Sequence, residues 1–241
     1  MVAERVVEWQ SPGEYRRRPS LALEQRAGVE LAELLASPVY YGLGVPRGDG
    51  RTVLLIPGFM GSDSYLTILA GWLRRAGYRP AHSGITLNAG SLRRQLQHLE
   101  RRCEDLAERY GKITVIGHSL GGAFGRVLAV TRPDLIEEVI TLGSPLVGNV
   151  REASHPMVRA LGEMMFADHP RDEEDAMAQL ASPLPDGVRL TSIYSREDAV
   201  VDYRACLDDD PRADCHEVRG THVGLAWNAA VYRVLGRVLA S

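Results

Sequence analysis

The sequence predicts an α/β fold, with a mostly parallel central sheet and helices on both faces. Three observations point to it. Short strand-length segments recur along the chain: the apolar Val53-Leu54-Leu55-Ile56, Ile113-Thr114-Val115-Ile116 and Val139-Ile140-Thr141-Leu142, and a fourth, Thr191-Ser192-Ile193-Tyr194. They lack apolar/polar alternation, as strands buried on both faces do. The segments between them show helical periodicity, the rhythm of βαβ units. The 241 residues, 45% hydrophobic and 24% charged, suffice for a large core without metals or disulfide staples.

Taken in order, residues 20–36 set Ala27, Leu31, Leu34 and Leu35 on one helical stripe. Pro38 and Pro46 frame a stretch that ends in the turn Arg47-Gly48-Asp49-Gly50. After the strand at 53–56, residues 64–75 carry Leu66, Leu69, Ala70 and Leu73, a helix closed by Gly77. Tyr78-Arg79-Pro80-Ala81 reads as a short strand. Residues 91–110 put Leu92, Leu96, Leu99, Cys103, Leu106 and Tyr110 at alternating helical steps, with Ser91 as cap and Gly111 as stop. The strand at 113–116 runs at once into a helix through residue 131. Strands at 139–142 and 191–194 follow, then a strand ending at Val218. A last helix, 224–239, carries Leu225, Ala229, Tyr232 and Leu235 on one face.

The segment 146–187 breaks this rhythm. About forty residues between two strands exceed a crossover connection, so the expectation is an inserted cap with helices near 156–166 and 172–181. The predicted organisation is an N-terminal helix and lead-in over 1–50, a core over 51–145 and 188–241, and the cap over 146–187.

Composition excludes several roles. A net charge of −3 and a pI near 6.2 offer no electrostatic reason to bind nucleic acid. No apolar run approaches the ~20 residues of a membrane helix. Residues 1–8 carry acids where a signal peptide is apolar, so a cytoplasmic location is expected. Cys103 lies on a helical stripe and reads as core. Cys206 and Cys215 flank an acidic stretch and read as reduced thiols, with a local disulfide as the alternative. No paired Cys or His cluster points to a metal, and neither a metal nor another cofactor is expected.

The sharpest motif is Gly117-His118-Ser119-Leu120-Gly121-Gly122. It matches the G-x-S-x-G nucleophile elbow and stands where that motif must, after a buried strand and opening a helix. A serine projected from so tight a turn needs small neighbours two before and two after, hence Gly117 and Gly121. The helix start beneath Ser119 turns free N–H groups toward developing negative charge. A serine hydroxyl also needs a base. In the chain order Ser, acid, His, the base falls after the final strand, at His222 in Gly220-Thr221-His222-Val223-Gly224. His118 adjoins the nucleophile, but neighbours on an elbow point apart, so it is a poor base. His82, His98, His155, His169 and His216 read as surface or packing residues. The acid falls in Ser195-Arg196-Glu197-Asp198-Ala199-Val200-Val201-Asp202, where Asp198 is favoured and Glu197 and Asp202 are rivals. The oxyanion hole needs two N–H donors, read as Leu120 and, from Ile56-Pro57-Gly58-Phe59-Met60-Gly61-Ser62, Phe59.

Four pieces in this order, Pro57-Gly58-Phe59-Met60-Gly61, the elbow at 117–122, Asp198 and His222, resemble the α/β-hydrolase superfamily, specifically its small bacterial lipase and esterase branch. The resemblance covers roughly residues 50–240. Pro57 stands where that branch usually has His, while the N–H donor sits on a later residue. The resemblance implies an α/β-hydrolase fold with a cap over the serine, and hydrolysis of carboxylic esters through an acyl-enzyme. Some lipases of this kind steady the histidine loop with calcium or a disulfide. Here Asp208, Asp209, Asp210 and Asp214 read as a solvated turn. The expected substrate is a small-molecule ester or lipid with a short to medium acyl chain. Met60, Met164, Met165 and Phe166 are candidate pocket residues, and the oligomeric state is left open. The alternatives are an acyltransferase using the same triad and a non-catalytic binding protein on this scaffold.

Overall fold

The structure, a computed structural model, describes residues 20–147, 154–156 and 170–241. Six strands form one sheet: β1 (Thr52–Ile56), β2 (Arg79–His82), β3 (Ile113–His118), β4 (Ile136–Leu142), β5 (Arg189–Tyr194) and β6 (Asp214–Glu217). Their order is β2-β1-β3-β4-β5-β6, and every pairing is parallel. All carboxyl ends therefore lie at one edge of the sheet. The chain leaves β1 toward β2 and leaves β3 toward β4, so the loops after β1 and β3 diverge. Such a switch point opens a crevice at the carboxyl ends of the strands.

Strand residues alternate between two apolar layers. Val53, Leu55, Ile116, Ile140 and Ile193 face one cluster with Leu34, Leu69, Trp72 and Leu235. These helical residues come from α1 (Ala27–Ala36), α2 (Thr67–Ala76) and α6 (Ala229–Val238). Leu54, Ile56, Val115 and Val139 face the other cluster, with Leu99, Cys103, Phe124 and Leu128. The helices on that face are α3 (Leu92–Tyr110) and α4 (Leu120–Thr131). Both faces are covered, which is why the strands read as continuous apolar runs. Gly77 closes α2 at φ 97°, and the Ser91 hydroxyl caps α3 by accepting from Arg94 N.

Several elements differ from the sequence reading. A 3₁₀ turn, Leu21–Arg26, precedes α1, and the core face of α1 is Ala27, Glu30 and Leu34. Leu35 is exposed, and the buried position belongs to Glu30. Tyr110 is also exposed, under the Arg79 guanidinium at 4.3 Å. The last helix is broken. Val223–Trp227 is 3₁₀, and Asn228 caps α6 by accepting from Ala230 N and Val231 N. In the inserted segment, α5 (Pro170–Leu180) packs Leu180 on Ala123 and Val127 of α4. The helix expected near 156–166 falls, apart from Pro156, outside the described residues. Cys206 and Cys215 are free thiols, and Cys103 is buried. Asp208 pairs with Arg126 (2.5 Å), Asp210 with Arg212 (2.8 Å) and Asp214 with His216 (2.8 Å). Among the described residues no helix is long and apolar enough to cross a membrane.

Candidate active site

Ser119 stands between the end of β3 and α4 with φ 53° and ψ −126°. Met60, in the loop after β1, has φ 58°. They are the two non-glycine residues with positive φ among those described, and they come from the two loops that flank the switch point. Backbone strain of this kind costs about 1–3 kcal/mol per residue and persists only where its surroundings enforce it. The enforcement is visible. Ser119 N donates to Leu142 O (2.8 Å), and Gly122 N donates to Ser119 O (3.0 Å). A Cβ on Gly117 would run into the backbone of Gly121 and Gly122, and one on Gly121 into Ile56 O. The elbow glycines are thus small because the turn leaves no space.

The loop after β1 lies against the serine: a Cβ on Gly58 would be 2.9 Å from Ser119 Cβ. Asn88, fully buried, braces this loop. Its Nδ2 donates to Pro57 O (2.7 Å), its N donates to Gly61 O (2.8 Å), and its carbonyl accepts from Met60 N (2.9 Å). Leu120 opens α4, where N–H groups have no carbonyl one turn back.

Asp198 and His222, the predicted acid and base, meet at the same sheet edge. Asp198 Oδ2 accepts from His222 Nδ1 at 2.6 Å, with both residues buried. Asp198 Oδ1 accepts from Val200 N and Val201 N, each at 2.8 Å. A carboxylate only accepts, so the proton of the imidazole sits on Nδ1 and Nε2 keeps its lone pair. The rivals are engaged elsewhere: Glu197 pairs with Arg26 (3.6 Å), and Asp202 caps a 3₁₀ turn by accepting from Arg204 N. Burial, the largest influence on the His222 pKa, lowers it. The Asp198 charge and hydrogen bond, with the Glu24 charge, outweigh burial, and the net shift is upward.

Two contributors were not apparent in the sequence. Gly143, at the end of β4, has φ 57°, and a Cβ there would be 3.0 Å from Asp198 Oδ2 and 3.3 Å from His222 Nδ1. The other is a directed hydrogen-bond chain through Tyr65 and His118. Gly58 N donates to Tyr65 Oη (2.7 Å), which lies 2.8 Å from His118 Nδ1. His118 Nε2 lies 2.8 Å from His222 O, which only accepts, so Nε2 is the donor. Nδ1 then accepts from the tyrosine O–H. The chain links the β1 loop to the histidine loop. Tyr65→Phe strands Gly58 N–H and His118 Nδ1 and is expected to cost about 2 kcal/mol in urea unfolding. The ring contacts to His118 and Trp227 survive that change, so a loss below about 0.5 kcal/mol would mean the chain contributes little.

His118 is no base. Burial first, then neighbouring His222, holds its pKa down to about 3. Between pH 6.5 and about 3, the unfolded chain takes a proton here that the folded chain refuses, so stability falls as pH falls. His222 is charged in both states below 6.5 and adds no slope in that window. His118→Gln should therefore flatten unfolding free energy against pH between 6 and 4 by up to ~1.4 kcal/mol per pH unit. Equal slopes in urea titrations of both proteins would mean that folded His118 takes up the proton.

Met164, Met165 and Phe166 lie outside the described residues. Met60 is 44% exposed.

The model of the PGAP1-like alpha/beta domain matches residues 81–195. The chain is 27% identical over 158 residues to a triacylglycerol lipase of Burkholderia plantarii, covering 61% of this chain and 41% of the relative. It is 25% identical over 154 residues to the sn-1-specific diacylglycerol lipase ABHD11 of Danio rerio, covering 60% and 49%. The chain thus spans less than half the length of these relatives. Among solved structures, one of the metagenome-derived lipolytic enzymes LipS and LipT superposes with a TM-score of 0.61 at 19% identity, covering 81% of this chain and 94% of the other. The likeness extends to a bacterial and a vertebrate lipase and does not single out a small bacterial branch. The chain carries an α/β-hydrolase fold of the esterase- and lipase-like kind.

Proposed function

We propose that the chain is a serine carboxylester hydrolase, with Ser119 as nucleophile, His222 as base and Asp198 as its partner. The observation that carries this reading is the buried Asp198–His222 pair at 2.6 Å, at the same sheet edge as the strained Ser119 elbow. His222 Nε2 takes the Ser119 proton as Oγ adds to the ester carbonyl carbon. The carbonyl oxygen becomes an oxyanion and accepts from the N–H groups of Leu120 and Phe59, with the positive end of α4 beneath it. Collapse expels the alcohol, which takes its proton from His222, and leaves an acyl ester on Ser119. Water, deprotonated by the same nitrogen, then releases the acid and restores the serine. Asp198 keeps the proton on Nδ1 and offsets the imidazolium charge at each transfer.

Residues 146–187 are read as a cap and Met60 as part of the acyl pocket. A cap of this size suits short to medium acyl chains. The small bacterial lipase and esterase branch remains our reading of the motif order. The test is a panel of p-nitrophenyl esters from acetate to palmitate, with and without a lipid interface, together with fluorophosphonate labelling. Turnover of the shorter esters with the label on Ser119 is expected. Neither label nor turnover would leave a binding role, and acyl delivery to an added alcohol in preference to water would identify an acyltransferase.

A further inference from the structure

The loop that carries His222 follows β6, an edge strand among the described residues, and its backbone N–H groups find their acceptors outside the sheet. The buried Thr221 amide needs an acceptor, and two carboxylates from the far end of the sequence serve it and the two amides that follow. Glu30 Oε1 accepts from Thr221 N (2.9 Å), and its Oε2 accepts from Thr221 Oγ1 (3.3 Å). Glu24 Oε1 accepts from His222 N (3.0 Å) and from Ala199 N (3.3 Å), and Oε2 accepts from Val223 N (3.1 Å). Three successive amides of the histidine loop are thus held from the N-terminal segment. The Glu24 carboxylate also ties that loop to the residue after Asp198. Glu30 is buried, and a Cβ on Gly224 would collide with its Oε2, so that glycine admits the carboxylate.

We infer that Glu24 and Glu30 are positioning residues for His222, the N-terminal segment serving as a clamp on the acid and histidine loops. The inference rests on the hydrolase reading. His222 is then held at three points: its amide by Glu24, its carbonyl by His118 and its ring by Asp198. Hydrogen bonds from amides to a carboxylate are charge-assisted and directional. A base displaced by even an ångström loses much of its rate. Glu24 also sets negative charge beside the imidazole that becomes a cation at each proton transfer. The ionisable groups facing that ring are Asp198 from the acid loop, His118 from the end of β3 and Glu24 from the N-terminal segment.

The test uses the full chain with Glu24→Gln, which keeps the length of the side chain but removes its charge and turns an amide group toward donors. Per titrated active site, kcat is expected to fall about tenfold with KM within about twofold, because Glu24 acts through His222 rather than on substrate. The His222 Cε1–H resonance, titrated by NMR, is expected to report a pKa lowered by about half a unit, since a favourable negative charge is gone. Glu30→Gln, read in the same way, should lower kcat without moving KM. A purely structural role for Glu24 would lower Tm while leaving kcat per site and the imidazole titration unmoved, and that result overturns the proposal. If Glu24→Gln does not fold, Glu24→Asp, which shortens the reach, is read for kcat per site, and a wild-type value overturns the proposal. If the wild type neither turns over esters nor labels at Ser119, the hydrolase reading has failed instead. The NMR titration then decides alone whether Glu24 acts on His222, an unmoved pKa overturning it.

Discussion

Ser119→Ala is expected to fold as the wild type does and to lose more than ~10³-fold in kcat on p-nitrophenyl esters. The fold should survive because φ 53° is imposed by the strand before and the helix after, and alanine tolerates that angle about as well as serine. Activity should not survive, because in the proposed mechanism the deleted oxygen forms the covalent bond. Members of a triad act as a unit, so adding His222→Ala should cost little more. Circular dichroism and Tm check the fold, and steady-state assays check the rate. Retention of more than about a tenth of wild-type kcat would remove Ser119 from the mechanism.

Asp198→Asn should lower kcat by about 10⁴-fold with little change in stability. The geometry gives the reason. Oδ1 accepts from the amides of Val200 and Val201, so an asparagine oxygen stays on that side. Its NH₂ then faces His222 Nδ1, which must accept. The ring proton moves to Nε2, the nitrogen that has to receive the serine proton. Glu197→Gln removes only a long, partly exposed pairing with Arg26 and should leave kcat within about twofold. Asp202→Asn keeps an effective turn cap and should do the same. If Asp202→Asn proved the crippled variant, the acid would lie four residues further along the chain.

The proposal for Ser119 draws on contiguous residues, and that is why the turn that carries it is legible in the sequence. The buried strand, the glycines two before and two after, and the helix that follows are all local features. Their steric logic reappears unchanged around Gly117 and Gly121. The carboxylate partner of His222 is only partly legible. Three carboxylates within six residues share a loop, and no local pattern says which one turns toward the histidine. The structure brings Asp198 to His222 and commits Glu197 and Asp202 elsewhere. The place of Glu30 is not legible in the sequence, for a similar reason. A stripe of Ala27, Leu31, Leu34 and Leu35 describes an apolar helix face, but the buried position between Ala27 and Leu34 is a carboxylate answering two donors on Thr221.

By itself, then, the sequence determined the alternation of strands and helices, their two-sided burial and the tight strand-to-helix turn at Ser119, and it supplied the chain order on which the proposed serine, acid and base rest. Each is a property of neighbouring residues: periodicity, steric size and turn chemistry act over a few positions. Only the tertiary structure decided that Glu24 accepts from His222 N across 198 positions, or that His118 donates to the His222 carbonyl across 104. It also decided that Gly143 must lack a side chain beneath the Asp198–His222 pair. Those partners meet because a parallel sheet gathers all its carboxyl ends at one edge. Which distant donor finds which acceptor there depends on packing that no local window contains.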